Sequence, residues 1–181
     1  ERSLQALMTT NLLKRLESSV ASFRLTLESL RKNHLGTLAK IAAFSPTGSA
    51  DSVGDLTEVL ETLDAEDDEL PDWSEGDNQI GGKVKISLAD MDLPSWEHAL
   101  KADLEIIDVL LASMNKITVD DDAKLQHLKA HVLKKIAHPI NPGNKKVLIF
   151  TAFADTADYL YATLAPVMLA TQSLHTAKVT G

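Results

Sequence analysis

Lys146-Val147-Leu148-Ile149-Phe150-Thr151 decides the reading of this chain. A half-exposed strand would alternate apolar and polar residues. This run is continuous, short and rich in strand-forming types, so it reads as a buried parallel strand. Pro139, Pro142 and Gly143 punctuate the chain before it. After it, Asp155 is expected to cap a helix that turns Ala157, Leu160, Tyr161 and Leu164 inward, and Leu174 to Thr180 offers a second strand. The 22 residues between the strands, 152–173, are long enough for the right-handed crossover that parallel pairing requires. A βαβ unit over 145–181 follows.

Upstream, the apolar period is helical. Leu12, Leu16, Val20, Phe23, Leu27 and Leu30 step by three and four, predicting one long amphipathic helix from about Ser3 to His34, with Gly36 as its stop. Its wet side carries Lys14, Arg15, Glu17, Arg24, Arg31 and Lys32. Trp96, Leu100, Leu104, Ile107, Leu111 and Met114 repeat the same steps after Pro94, which predicts a second helix over 95–116 packed face to face with the first. A third, 121–137, starts behind Asp120-Asp121-Asp122, whose acids suit a helix N-terminus, and buries Leu125, Leu128, Val132 and Ile136. The predicted fold class is α/β and mainly helical: a long helical hairpin or bundle joined to a partial βαβ unit. Four stretches result: helix and turn 1–50, acidic insertion 51–89, partner helices 90–144 and βαβ start 145–181.

Composition narrows the function classes. Among 181 residues, 44% are apolar and 4% aromatic, an ordinary globular balance that leans to helix. The absence of cysteine excludes disulfides, thiolate metal sites and cysteine nucleophiles, and a reducing cytoplasm is the matching compartment. No apolar stretch approaches the roughly 18 residues of a membrane span, and no secretory leader opens the chain. Glu1 stands where an initiator Met would, and Gly181 follows an apolar run, so the chain is expected to be an excerpt of a longer one. The net charge of −8 is concentrated: residues 51–79 hold twelve Asp/Glu and no Lys/Arg, while outside them eighteen basic residues face fourteen acidic ones. Overall acidity therefore does not exclude nucleic acid. Within the acidic stretch, 55–63 is expected to form a short helix with Leu56, Val59, Leu60 and Leu63 inward, and 64–82 a solvated loop whose Trp73 offers a docking anchor.

Lys145-Lys146-Val147-Leu148-Ile149-Phe150-Thr151-Ala152-Phe153-Ala154-Asp155-Thr156, continuing to Val179-Thr180-Gly181, resembles the start of the second RecA-like lobe of superfamily-two helicases, closest to the Swi/Snf-type translocases and their bacterial relatives. In that family a lysine-led apolar strand runs into an Asp-Thr helix, and the next strand ends in Gly. Asp122-Ala123-Lys124-Leu125 is similar to the helix that introduces the strand, and residues 12–19 resemble the helix that opens this half of the motor in bacterial members. The resemblance covers 4–30 and 90–181 and leaves 36–89 untouched. It implies that Thr151, Phe153, Thr180 and Gly181 lie at the nucleic-acid backbone, with Lys14 and Arg15 adding phosphate contacts. It implies DNA more than RNA as the nucleic acid, the remaining helicase lobe as a partner, and ATP with Mg for the full-length parent.

The catalytic parts themselves are absent from this sequence. It holds neither a phosphate-binding Gly-x-x-x-x-Gly-Lys-Ser/Thr loop nor an Asp-Glu pair after one, so no catalytic residue or cofactor is assigned and the chain alone is expected to be silent. His127 and His131 stand one turn apart but without a catalytic Glu between them, so they read as a solvated pair, and no metal site is assigned. Unpaired strand edges would favour self-association. The alternative from another class is a helical interaction module whose acidic segment 51–79 recruits a basic partner.

Overall fold

The computed structural model describes residues 2–44, 79–80 and 86–180. The expected helix at 55–63, the acidic loop with Trp73, and Gly181 lie outside the described residues. The described part is mainly helical: α1 (Arg2–Ser18), α2 (Val20–Ala43), α3 (Leu93–Met114), α4 (Ala123–Ala137) and α5 (Ala154–Gln172), with two-residue strands β1 (Gln79–Ile80) and β2 (Ile86–Ser87) pairing antiparallel and a single 3-10 turn (Leu88–Asp90). Among the described residues no helix is long and apolar enough to cross a membrane. Two compact units form, one from residues 1–12 and 26–112, the other from 13–25 and 113–181.

In the first unit the two matched stripes bury as expected. Leu27 and Leu30 of α2 and Leu100, Ile107 and Leu111 of α3 lose their solvent exposure. At the edge of this contact Arg31 Nε donates to Asp108 Oδ1 at 2.6 Å, and His34 Nε2 lies 3.7 Å from Asp103. The outer residues of the stripes differ: Trp96 and Leu16 are exposed. Gly36 does not stop its helix, and α2 runs on to Ala43. A glycine costs about 1 kcal/mol in a helix interior, which the helix-forming Leu38-Ala39-Lys40-Ile41-Ala42-Ala43 behind it outweighs.

The expected single helix 3–34 divides at Ser19, whose Oγ accepts from Ser22 N at 3.0 Å and so acts as the N-cap of α2. In the second unit, Asp122 caps α4 through Leu125 N at 2.9 Å, and Leu125, Val132 and Ile136 are buried as predicted. Val132, Ile136 and Met168 form a core against which Leu128, Val147 and Leu174 pack. The cap of α5 differs from expectation. Phe153 is its N-cap and gives no side-chain bond, Asp155 lies inside the first turn, and the helix buries Thr156, Leu164 and Met168 while Tyr161 stays exposed.

Residues 146–151 and 174–180, expected as parallel strands, form no strand among the described residues. Val147 packs on the core, but Leu148, Phe150 and Val179 are 82%, 90% and 92% exposed. The reason is physical: a strand exists only when a neighbour accepts its hydrogen bonds, and no described segment pairs with these runs. Asn141-Pro142-Gly143-Asn144 closes a turn before the first run, with Asn144 N donating to Asn141 O at 3.0 Å and Gly143 at φ +81°. Pro followed by a positive-φ Gly is the type II arrangement.

Candidate functional site at the start of the last helix

Arg15, near the end of α1, is brought onto the first turn of α5, 140 residues later in sequence. Its guanidinium lies 4.9 Å over the Phe153 ring, and Nη1 donates to Asp155 Oδ2 at 3.2 Å. An aromatic face and a carboxylate thus share one buried cation. Beside it, the Ser18 and Ser19 hydroxyls stand 2.8 and 3.0 Å from Thr156 Oγ1. Lys124 Nζ donates to the carbonyls of Glu17 and Ser18, placing positive charge at the C-terminal end of α1, where the helix dipole favours it.

The predicted site residues separate into three sets. Arg15, Thr151 and Phe153 come together, and Thr151 Oγ1 accepts from Phe153 N at 3.4 Å, which turns the chain into α5. Arg15, read from the sequence as a phosphate contact on the wet side of its helix, is buried with its charge on Asp155 and the Phe153 ring. Lys14 points to solvent, and Thr180 is exposed on the irregular terminal run. Gly181 lies outside the described residues.

A second polar group lies in the same unit. Arg24 Nη2 donates to the carbonyls of Met114 and Ile117 at 2.8 and 3.2 Å, closing the C-terminal end of α3, while its Nε is buried without a hydrogen-bond partner among the described residues. Tyr159 OH donates to Asp122 Oδ2 at 3.0 Å, the carboxylate that also caps α4. Burial first, then the bond and charge of Asp122, push the Tyr159 phenol up to about 12. Arg24, Asp122 and Tyr159 line a concavity of about 320 Å³ with Val20, Ile117 and Val119. Tyr159 and Asp122 are bonded to each other and Arg24 Nη2 to main-chain carbonyls, so these groups hold the scaffold together. The Asp run behaves as expected of capping: Asp121 accepts from Thr118 N and Oγ1, which holds its carboxyl below the usual range.

His127 and His131 are exposed with ring centroids 6.5 Å apart, and no trio of metal-ligating side chains occurs among the described residues. The sequence signals missed here are Ser19 as a cap and Asp155 as an ion-pair partner. The first was visible as a Ser-Ser pair inside a helical stripe, the second had no local sign. No protein family, curated protein or solved structure matches this chain.

Proposed function

We propose that the chain contributes the start of the second RecA-like lobe of an ATP-dependent helicase or translocase, together with a helical protrusion, and that it helps bind nucleic acid, DNA before RNA, in the cytoplasm. The observation that carries this reading is the run Val147–Phe150. It is apolar, strand-forming, 82% to 90% exposed at Leu148 and Phe150, and without a backbone partner among the described residues, yet it leads directly into the long helix α5 and then into a second such run. A segment of that kind belongs to a parallel sheet whose other strands come from further polypeptide. In this reading those strands belong to the remainder of the motor, which also supplies the phosphate loop, the Mg-binding acids and the arginine finger for ATP.

Within such a lobe, ligands gather beyond the carboxyl ends of parallel strands. Thr151 and Phe153 occupy that rim after the first run, and Thr180 with Gly181 after the second. Lys14 adds a solvated cation, and Arg15 positions Phe153 by stacking on it.

The coding sequence around this chain tests the proposal. A phosphate-loop motif and an Asp-Glu pair upstream, with an arginine-finger motif downstream, are expected. In the protein so encoded, Thr151→Ala and Thr180→Ala should reduce DNA-stimulated ATP hydrolysis more than basal hydrolysis. A reading frame confined to these 181 residues would refute the motor and leave the acidic interaction module in its place.

A further inference from the structure

From Ala123 to Ala154 the chain holds six lysines, three histidines and no acid, within a protein of net charge −8. Much of this charge falls on α4. At 100° per residue, Lys124, His127, His131, Lys134 and Lys135 share an arc of about 100°. That arc is opposite the buried Leu125, Val132 and Ile136. His138, the C-cap residue, extends the same line. All six are exposed, and among the described residues none of them pairs with a carboxylate. Lys124 donates to two main-chain carbonyls and keeps its charge.

We infer that the outer face of α4 is a docking surface for the phosphodiester backbone of a nucleic acid. It is separate from the strand-end residues proposed above. The stripe from Lys124 to Lys135 covers about 16 Å of helix axis. Over that distance a duplex presents on the order of nine phosphate charges. Lysine and imidazole N–H groups are the donors that phosphate oxygens accept, and they read no sequence.

The remaining residues of the face decide against other polyanions. An acidic protein partner would need a buried aromatic or aliphatic anchor at the centre of the contact, whereas the stripe is bordered by Ala123 and Ala130 on one side and on the other by Leu128, which packs on the core. A membrane surface would need a free apolar face beside the basic one, and the apolar face of α4 is committed to the core.

This inference shares nucleic acid with the proposed function but does not depend on the motor. Its test is fluorescence anisotropy of the 181-residue chain with a labelled 30-base-pair duplex of arbitrary sequence, from 50 to 200 mM KCl. The wild type should bind with an affinity that falls steeply as salt rises. The double variant Lys134→Gln/Lys135→Gln should weaken binding about tenfold at 100 mM and flatten the log–log salt slope by about two. The charge-matched Lys101→Gln/Lys116→Gln should bind like wild type, with circular dichroism showing both variants folded. No binding at 50 mM, or equal binding by the two double variants, overturns the inference. So does poly-L-glutamate binding more tightly than the duplex. If Thr151→Ala and Thr180→Ala weaken duplex binding while Lys134→Gln/Lys135→Gln does not, the α4 surface fails and the strand-end reading stands.

Discussion

Two neighbouring regions of the second unit, the extended run Val147–Phe150 and the start of α5 just after it, are built on opposite terms. At the helix start every prominent polar side chain has found a partner: Arg15 with Phe153 and Asp155, Ser18 and Ser19 with Thr156. In the run, Leu148 and Phe150 face solvent and the backbone has no described partner. A helix satisfies its own hydrogen bonds and needs only one covered face, whereas a strand exists only beside a partner that takes up its hydrogen bonds. One stretch of chain can therefore be finished while the adjacent one stays open.

Breaking the finished side should cost most. Met168→Ala removes the α5 contribution to the core with Val132 and Ile136 and should destabilise by about 2–5 kcal/mol, read as a drop in the urea midpoint. Arg15→Ala leaves the Phe153 ring uncovered and Asp155 without its cation, for about 1–3 kcal/mol. A double-mutant cycle with Asp155→Ala should return a coupling of about 1 kcal/mol, because the two side chains touch. A coupling near zero would mean that the helix start is held by the Phe153 stacking and the hydroxyls without the ion pair.

Alkali probes the same region more gently. The Tyr159 phenol is held neutral in the fold, up to about 12, against an ordinary value near 10. Its contribution is present in full below pH 10 and is lost as pH rises toward 12. Stability of the wild type should decline more steeply across that window than stability of Tyr159→Phe, measured by urea titration at each pH. On the open side the effect should be smallest. Phe150→Ser should shift stability by no more than about 0.5 kcal/mol, yet reduce self-association in sedimentation velocity, since it removes an exposed apolar side chain from an unpaired edge.

The same contrast explains what the amino-acid order made legible. Leu27, Leu30, Leu100, Ile107 and Leu111 announced their burial because helical period is a local signal, and Asp122 announced its cap because the bonded amide is three residues away. Ser19 was overlooked as a cap because it sits inside an otherwise unbroken apolar stripe. The partnership of Arg15 with Asp155 spans 140 residues and leaves no local trace. For the runs 146–151 and 174–180, composition indicated two strands paired in parallel, and neither is a strand in the structure: pairing is a property of two segments, and no backbone bond joins these two. Of the candidate site, Thr151 and Phe153 were placed by a motif, while the cation on the Phe153 ring became visible only in three dimensions.

Pro166 lies inside α5 and has no amide hydrogen to give the Ala162 carbonyl one turn earlier. Ala162 faces water, so solvent can serve that carbonyl without collapsing the helix. The result is a seam in the amide ladder, with Thr156 and Leu164 anchoring one half and Met168 the other. Each half has its own anchor against solvent, so deuterium uptake along α5 should fall into two separate protection levels that meet at the proline.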